Sequence, residues 1–93
     1  MSTNLNTITK ILNEIKKELT MLISLEGNSE QVNSKNLFNQ TNNLNEAIHT
    51  SEISEKNKSM LEKFALTLQE GITVKSLRYE KQDLERILSN LND

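Results

Sequence analysis

The N-terminal quarter of the chain carries apolar side chains at alternating spacings of three and four residues, and this pattern strongly restricts the possible folds. It is the heptad spacing that places one row of side chains along a single side of an α-helix. The residues that follow it are Leu5, Ile8, Leu12, Ile15, Leu19 and Leu22. Further apolar residues widen the stripe, which favours packing among several helices. We therefore predict a helix over residues 4–25.

Little in the rest of the sequence interrupts a helix, because the chain has no proline and only two glycines. Gly27, followed by Asn28 and Ser29, is typical of a helix C-terminus and turn. This segment predicts a bend at residues 26–30. No stretch shows the apolar–polar alternation of a β-strand. The sequence therefore predicts an all-α fold.

The middle of the chain is rich in asparagine, which competes with helix formation through its own side-chain hydrogen bonds. A polar linker is one interpretation of this segment. However, apolar residues keep an approximately helical spacing there, and we predict a second helix over residues 34–49. Thr50 or Ser51 is the candidate cap of the next helix. A short break within one long helix is the alternative.

The C-terminal part predicts one long helix over residues 52–91. It carries two apolar stripes that do not share a heptad register, the first around Phe64 and Leu68 and the second around Leu84 and Leu88. The shift falls at Gly71, beside β-branched residues. Glycine weakens a helix by about 1 kcal/mol relative to alanine, so we expect a kink near residues 71–74.

These elements predict a single domain, residues 1–93, that is a helical hairpin or a three-helix coiled-coil-like bundle. The apolar content is 34%, below the roughly 45–50% of typical domains, so we expect partner helices, in a homo- or hetero-oligomer such as a dimer, to complete the core. The predicted helix-packing residues are Leu5, Ile8, Leu12, Ile15, Leu19, Leu22, Phe64, Leu68, Leu84, Leu88 and Leu91.

Polar residues interrupt the apolar stripes at four positions, Thr41, Asn57, Thr67 and Lys81. In coiled coils such residues can set register and partner choice. The alternative interpretation is that they lie at the edges of the stripes.

The sequence offers no recognisable chemistry for catalysis. It has no cysteine, and His49 is its single histidine, without a second residue at metal-ligand spacing. Glu14 and Glu18 share a helix face without a partner acid or base, which indicates solvated charge. We predict a protein that is not an enzyme, with no catalytic residue, metal, cofactor or small-molecule ligand.

Charge and hydropathy argue against two further classes of partner, nucleic acids and membranes. The net charge is −2 and the bases are dispersed, which does not favour nucleic-acid binding. The longest apolar run, residues 21–23, is far shorter than the roughly 20 residues that cross a bilayer. The N-terminus lacks the pattern of a signal peptide. We expect a cytoplasmic protein, or one secreted without a signal peptide.

Tyr79 and Asp83 are four residues apart and therefore share a helix face. With the short helical chain, the Gly27 bend and the lack of cysteine, this Tyr-x-x-x-Asp element resembles the small helical-hairpin proteins of the type VII (Esx-type) secretion system. The closest resemblance is to relatives that accompany LXG toxins as targeting partners in Gram-positive bacteria. Those families carry a Tyr- or Phe-x-x-x-Asp/Glu element near the C-terminus, form dimers and are exported folded.

The resemblance implies that Tyr79 and Asp83 form a partner or export motif of a protein that acts by helix–helix pairing. The Trp-x-Gly turn of the best-known members is absent, and Leu25-Glu26-Gly27 is the segment that could take its place. The rival hypothesis is a cytosolic export chaperone, similar to those of flagellar or type III secretion systems, which clasp an amphipathic helix of their substrate. Under that hypothesis, residues 57–68 would form the groove.

Overall fold

The computed structural model describes residues 5–24, 34–70 and 73–91. Within these ranges the chain forms four α-helices, and the all-α prediction is confirmed. They are α1 (Leu5–Ser24), α2 (Lys35–His49), α3 (Glu55–Gln69) and α4 (Leu77–Asn90), with a short 3₁₀ turn at Val74–Ser76 directly before α4. The predicted bend at residues 26–30 lies outside the described residues.

The helices form a bundle in which each helix packs on two neighbours. α1 and α3 each contact both α2 and α4. Glu18 of α1 lies beside Asn36 at the start of α2, and Lys16 of α1 lies 3.8 Å from Glu85 of α4. The result is a four-helix bundle in which α1 contacts both α2 and α4.

The core is built from the inward face of every helix. The heptad stripe of α1 supplies Ile8, Leu12, Ile15 and Leu19, all fully buried. Phe64 is the largest of the fully buried side chains and extends from α3. Because each helix presents one apolar stripe to the same interior, the four stripes cover one another in a single cluster.

The prediction of one helix over residues 52–91 is wrong, because α3 ends at Gln69 and α4 starts at Leu77. The two apolar stripes differ in register, so no straight helix could turn both toward one core. The chain instead folds back, and each stripe reaches the interior separately. The predicted kink includes Gly71 and Ile72, which lie outside the described residues. Thr73 caps the turn that starts α4, since its side chain accepts from the Ser76 N–H.

The start of α3 also differs from the prediction. Its N-cap is Ser54, whose side chain accepts a hydrogen bond from the Asn57 N–H at 3.3 Å. Thr50 and Ser51 instead end α2, where their hydroxyls donate to carbonyls of the last turn. Residues 50–54 therefore form a true connection between two helices.

A buried carboxylate joins α1 to the start of α2. Ser34 is the N-cap of α2 and accepts from the Leu37 N–H at 3.1 Å. The same hydroxyl donates to Glu18 Oε2 at 2.9 Å, and Asn36 Nδ2 donates to Glu18 Oε1 at 3.3 Å. Glu18 is buried, so its interpretation as solvated charge is wrong. A negative charge at a helix N-terminus is favourable, which accounts for an acid at this position.

Replacing Ser34 by alanine is expected to lower the free energy of unfolding by about 2 kcal/mol, because it removes both a helix cap and a donor to a buried carboxylate. Urea denaturation followed by circular dichroism measures the change. Ser89→Ala, at an exposed position of α4, is the control and is expected to stay within about 0.5 kcal/mol. A double-mutant cycle with Glu18→Ala should be non-additive; additive losses would contradict the described contact.

Candidate protein-binding surface

Tyr79 projects from α4 into solvent. Its exposed fraction is 73%, the largest among the exposed large apolar residues of the described chain. The orientation of α4 is fixed by Leu77, Leu84 and Ile87, which are buried in the core. These residues turn the opposite side of the helix outward, so the exposure of Tyr79 follows from the packing of α4.

Asp83 lies one helical turn after Tyr79, and the two residues line a shallow cleft of about 440 Å³ with Gln82 and Arg86. The predicted motif residues are therefore brought to one face. Asp83 forms an ion pair with Arg86 one turn further on. Within the described chain, Asp83 makes this hydrogen bond with Arg86 and none with Tyr79. This face of α4 therefore presents the exposed phenol of Tyr79 beside the Asp83–Arg86 ion pair, in which the two opposite charges offset each other.

Glu80 also lines this cleft, although most of its side chain is buried. Its exposed fraction is 9%, and its Oε2 atom has no hydrogen-bond partner among the residues that the structure describes. Burial raises the pKa of the Glu80 carboxyl, and the negative charge of Asp83 raises this pKa further. Sequence reasoning missed this residue. The signal was present, because Leu77, Glu80, Leu84 and Ile87 follow the heptad spacing of an inward-facing row.

All eleven predicted helix-packing residues lie in the chain's own core or against it. The fully or largely buried ones are Ile8, Leu12, Ile15, Leu19, Phe64, Leu68 and Leu84, and the partly buried ones are Leu5, Leu22, Leu88 and Leu91. The four helices of one chain therefore cover most of this apolar surface. A partner chain that completes the core stays a prediction, and its contacts would have to include other residues.

Apolar side chains also reach solvent on the other helices. Phe38 of α2 is 62% exposed, and Met21 of α1 and Leu66 of α3 are about half exposed. Scattered exposed apolar residues are ordinary on protein surfaces. Phe38 nevertheless provides a second exposed aromatic ring, on a different helix from Tyr79. Its substitution is therefore a useful control for the substitution of Tyr79.

A groove follows the junction of α3 and α4, which is less extensive than the junctions of α1 with α2 and with α4. Its volume is about 550 Å³. Met60, Phe64 and Ile87 form its apolar part, and Lys56 and Lys63 line its α3 side. The groove overlaps residues 57–68, the segment that the chaperone hypothesis assigned to substrate binding.

The four polar residues in the predicted stripes separate into two groups. Thr41 and Asn57 are buried in the bundle, and the Thr41 hydroxyl donates to the Leu37 carbonyl oxygen at 2.8 Å. Thr67 is exposed and Lys81 is half-buried. Thr41 and Asn57 are therefore core positions, whereas Thr67 and Lys81 lie at the edges of their stripes.

No group of three or more histidine, cysteine, aspartate or glutamate residues that could hold a metal ion occurs in the described part of the chain. His49 is exposed in the last turn of α2, where a basic side chain complements the helix dipole. Glu14 is exposed on α1. The absence of catalysis, cofactors and small-molecule ligands stays a prediction.

Comparison with known proteins adds no relative to this description. No family model, curated protein or solved structure matches the chain. Among the residues described, no helix combines the length and the apolar character needed to cross a membrane.

Proposed function

We propose that this protein is a non-enzymatic protein-binding module, and that it acts as a secreted or targeting partner in a type VII secretion system through helix–helix pairing. The observation that carries the proposal is the exposure of Tyr79. This ring lies on a helix whose opposite side is used by the core. Asp83 is one turn away on the same cleft, at the position that the Tyr-x-x-x-Asp resemblance requires.

Energetics also favour a recognition role for Tyr79. A side chain that is mostly exposed contributes little to the stability of its own fold. Tyrosine and arginine are enriched among the residues that dominate protein–protein affinity, because they bury a large apolar surface and keep a polar end. The face of α4 offers both, with Tyr79 at one end of the cleft and Arg86 at the other.

Replacing Tyr79 by alanine is expected to reduce export at least tenfold, because truncation of a central interface residue typically weakens binding by 2 kcal/mol or more. Asp83→Ala should have a similar effect. Quantitative immunoblotting of culture medium and cells measures export in a host whose type VII system is active. Circular dichroism should show unchanged helicity for the Tyr79 variant.

Conservative and matched variants make this test specific. Tyr79→Phe and Asp83→Glu should keep export, since the motif of the resembling families accepts these residues. Phe38→Ala removes another mostly exposed ring, from α2, and should also leave export unchanged. Normal export of Tyr79→Ala, or complete retention of the unmodified protein in the cell, would contradict the proposal.

A second candidate function is that of a cytosolic export chaperone. The groove between α3 and α4 favours it, because a groove between two helices can receive an amphipathic substrate helix. A chaperone would stay in the cell and form a stable complex with one secreted substrate. Tyr79→Ala would then leave that complex intact, whereas substitutions in the groove would weaken it.

A further inference from the structure

The groove between α3 and α4 carries positive charge that no ion pair among the described residues neutralises. Lys56 and Lys63 both line it and are exposed. Neither lysine takes part in an ion pair within the described ranges, where Asp83 already pairs with Arg86. The chain as a whole has a net charge of −2. A local excess of about two positive charges is thus opposite in sign to the whole molecule.

The two lysines are arranged with a helical repeat. They are seven residues apart on α3, so they lie two turns apart on one side, at a rise of about 10 Å. Met60 lies between them and is partly exposed, and it contributes to the apolar part of the groove. The pattern along the groove is therefore positive, apolar, positive.

We propose that this groove binds an amphipathic helix of a partner protein that carries two carboxylates about two turns apart on either side of an apolar residue. Another helix matches the spacing because its own side chains repeat at the same rise. Each carboxylate would pair with one lysine, and the apolar residue would cover Met60. The proposal adds partner chemistry to the protein-binding role and does not depend on export.

An apolar centre distinguishes this partner from a nucleic acid. Proteins that bind single strands combine positive charge with aromatic rings on which bases stack. Of the three aromatic residues of the chain, Phe64 alone lines the groove, and it is 1% exposed. The groove therefore offers no ring face for stacking, and its exposed apolar side chain is Met60.

The test uses a labelled 15-residue amphipathic peptide with glutamates two turns apart and leucine between them, and a second peptide with both glutamates replaced by glutamine. Fluorescence anisotropy at low salt measures the two dissociation constants. The glutamate peptide should bind about tenfold more tightly, as expected for two partly exposed ion pairs. Raising the salt concentration should remove most of this difference.

Matched protein variants separate a local effect from a change in net charge. Lys56→Gln together with Lys63→Gln should abolish the preference for the glutamate peptide. Lys58→Gln together with Lys75→Gln removes the same charge outside the groove lining and should preserve it. Met60→Ser should weaken the binding of both peptides. Equal binding of both peptides, or equal effects of the two double variants, would overturn the proposal.

The same variants also test two other possible occupants of the groove, a nucleic acid and a second copy of the chain. Tighter binding of a labelled single-stranded oligonucleotide, lost in the Lys56/Lys63 double variant, would overturn the proposal in favour of a nucleic acid. Self-association in analytical ultracentrifugation that this variant disrupts would assign the groove to a second copy of the chain. Loss of export in Tyr79→Ala is measured separately, so either proposal can fail alone.

Discussion

Replacing Phe64 by alanine is expected to lower the free energy of unfolding by about 3–5 kcal/mol, a large part of the roughly 5–15 kcal/mol that stabilises a domain. Phe64 is 1% exposed and belongs to the central apolar cluster. Truncation removes its apolar contacts and leaves a cavity at the junction of α3 and α4. Urea denaturation followed by circular dichroism provides the measurement.

Phe38→Ala is the matched control, because it makes the same chemical change at a position that is 62% exposed. Its expected effect is within about 0.5 kcal/mol. Because the chemical change is the same in both variants, the difference between their stabilities measures the effect of burial. Similar losses in both, or a Phe64 variant as stable as the unmodified protein, would contradict the described orientation of α3.

Replacing Glu80 by leucine is expected to raise the free energy of unfolding at pH 7 by about 1–3 kcal/mol. A buried polar atom without a hydrogen bond is destabilising by about this amount, and exchanging buried charge for an apolar residue of similar size is often stabilising. Glu80 occupies an inward position between Leu77 and Leu84, where leucine continues the stripe. Thermal and urea denaturation measure the gain. A destabilised Glu80→Leu variant would show that the carboxylate is satisfied in solution.

The pH dependence of stability provides a second measurement for Glu80. Its pKa in the folded state is raised above the ordinary value of 4.5, so the folded state holds this proton more tightly than the unfolded state. The stabilising effect of the proton is complete below about pH 4.5 and is lost as the pH rises through the folded-state pKa. Glu80→Gln removes this titration. Its stability relative to the unmodified protein should therefore increase with rising pH.

The parts of the fold that the sequence predicted are those in which a local pattern and the tertiary environment agree. The stripe of α1 predicts both a helix and its buried face, and α2 forms despite its asparagines because Leu37, Leu44 and Ile48 are buried against the bundle. Helix propensity is a weak preference that tertiary packing overrides. The asparagine-rich composition alone would have assigned α2 to a linker.

The chain reversal between α3 and α4 was missed because its local signal is short. A register shift between two stripes is compatible with a kink or with a turn, and neighbouring residues alone do not distinguish them. Thr73 and Ser76 were the available signal, since a threonine followed three residues later by a serine can form reciprocal caps. The choice between kink and reversal depends on which arrangement buries both stripes, which is a property of the whole bundle.

For the candidate surface, the sequence placed Tyr79 and Asp83 on one helix face but could not predict their surroundings. The burial of Glu80 depends on how α4 is rotated against α1 and α3. The groove depends on residues from two helices that are adjacent only after the chain reverses. Such features require the relative positions of helices, which the sequence does not specify locally.

The contact between the first and the last helix has a consequence for synthesis on the ribosome. The chain must grow by roughly 50 residues after the end of α1 before α4 begins. At about 5–20 residues per second, this leaves the α4-facing side of α1 uncovered for several seconds. During that interval the nascent chain presents an apolar stripe that α2 covers only in part. Translation speed and early contacts with other proteins should therefore influence the yield of folded protein.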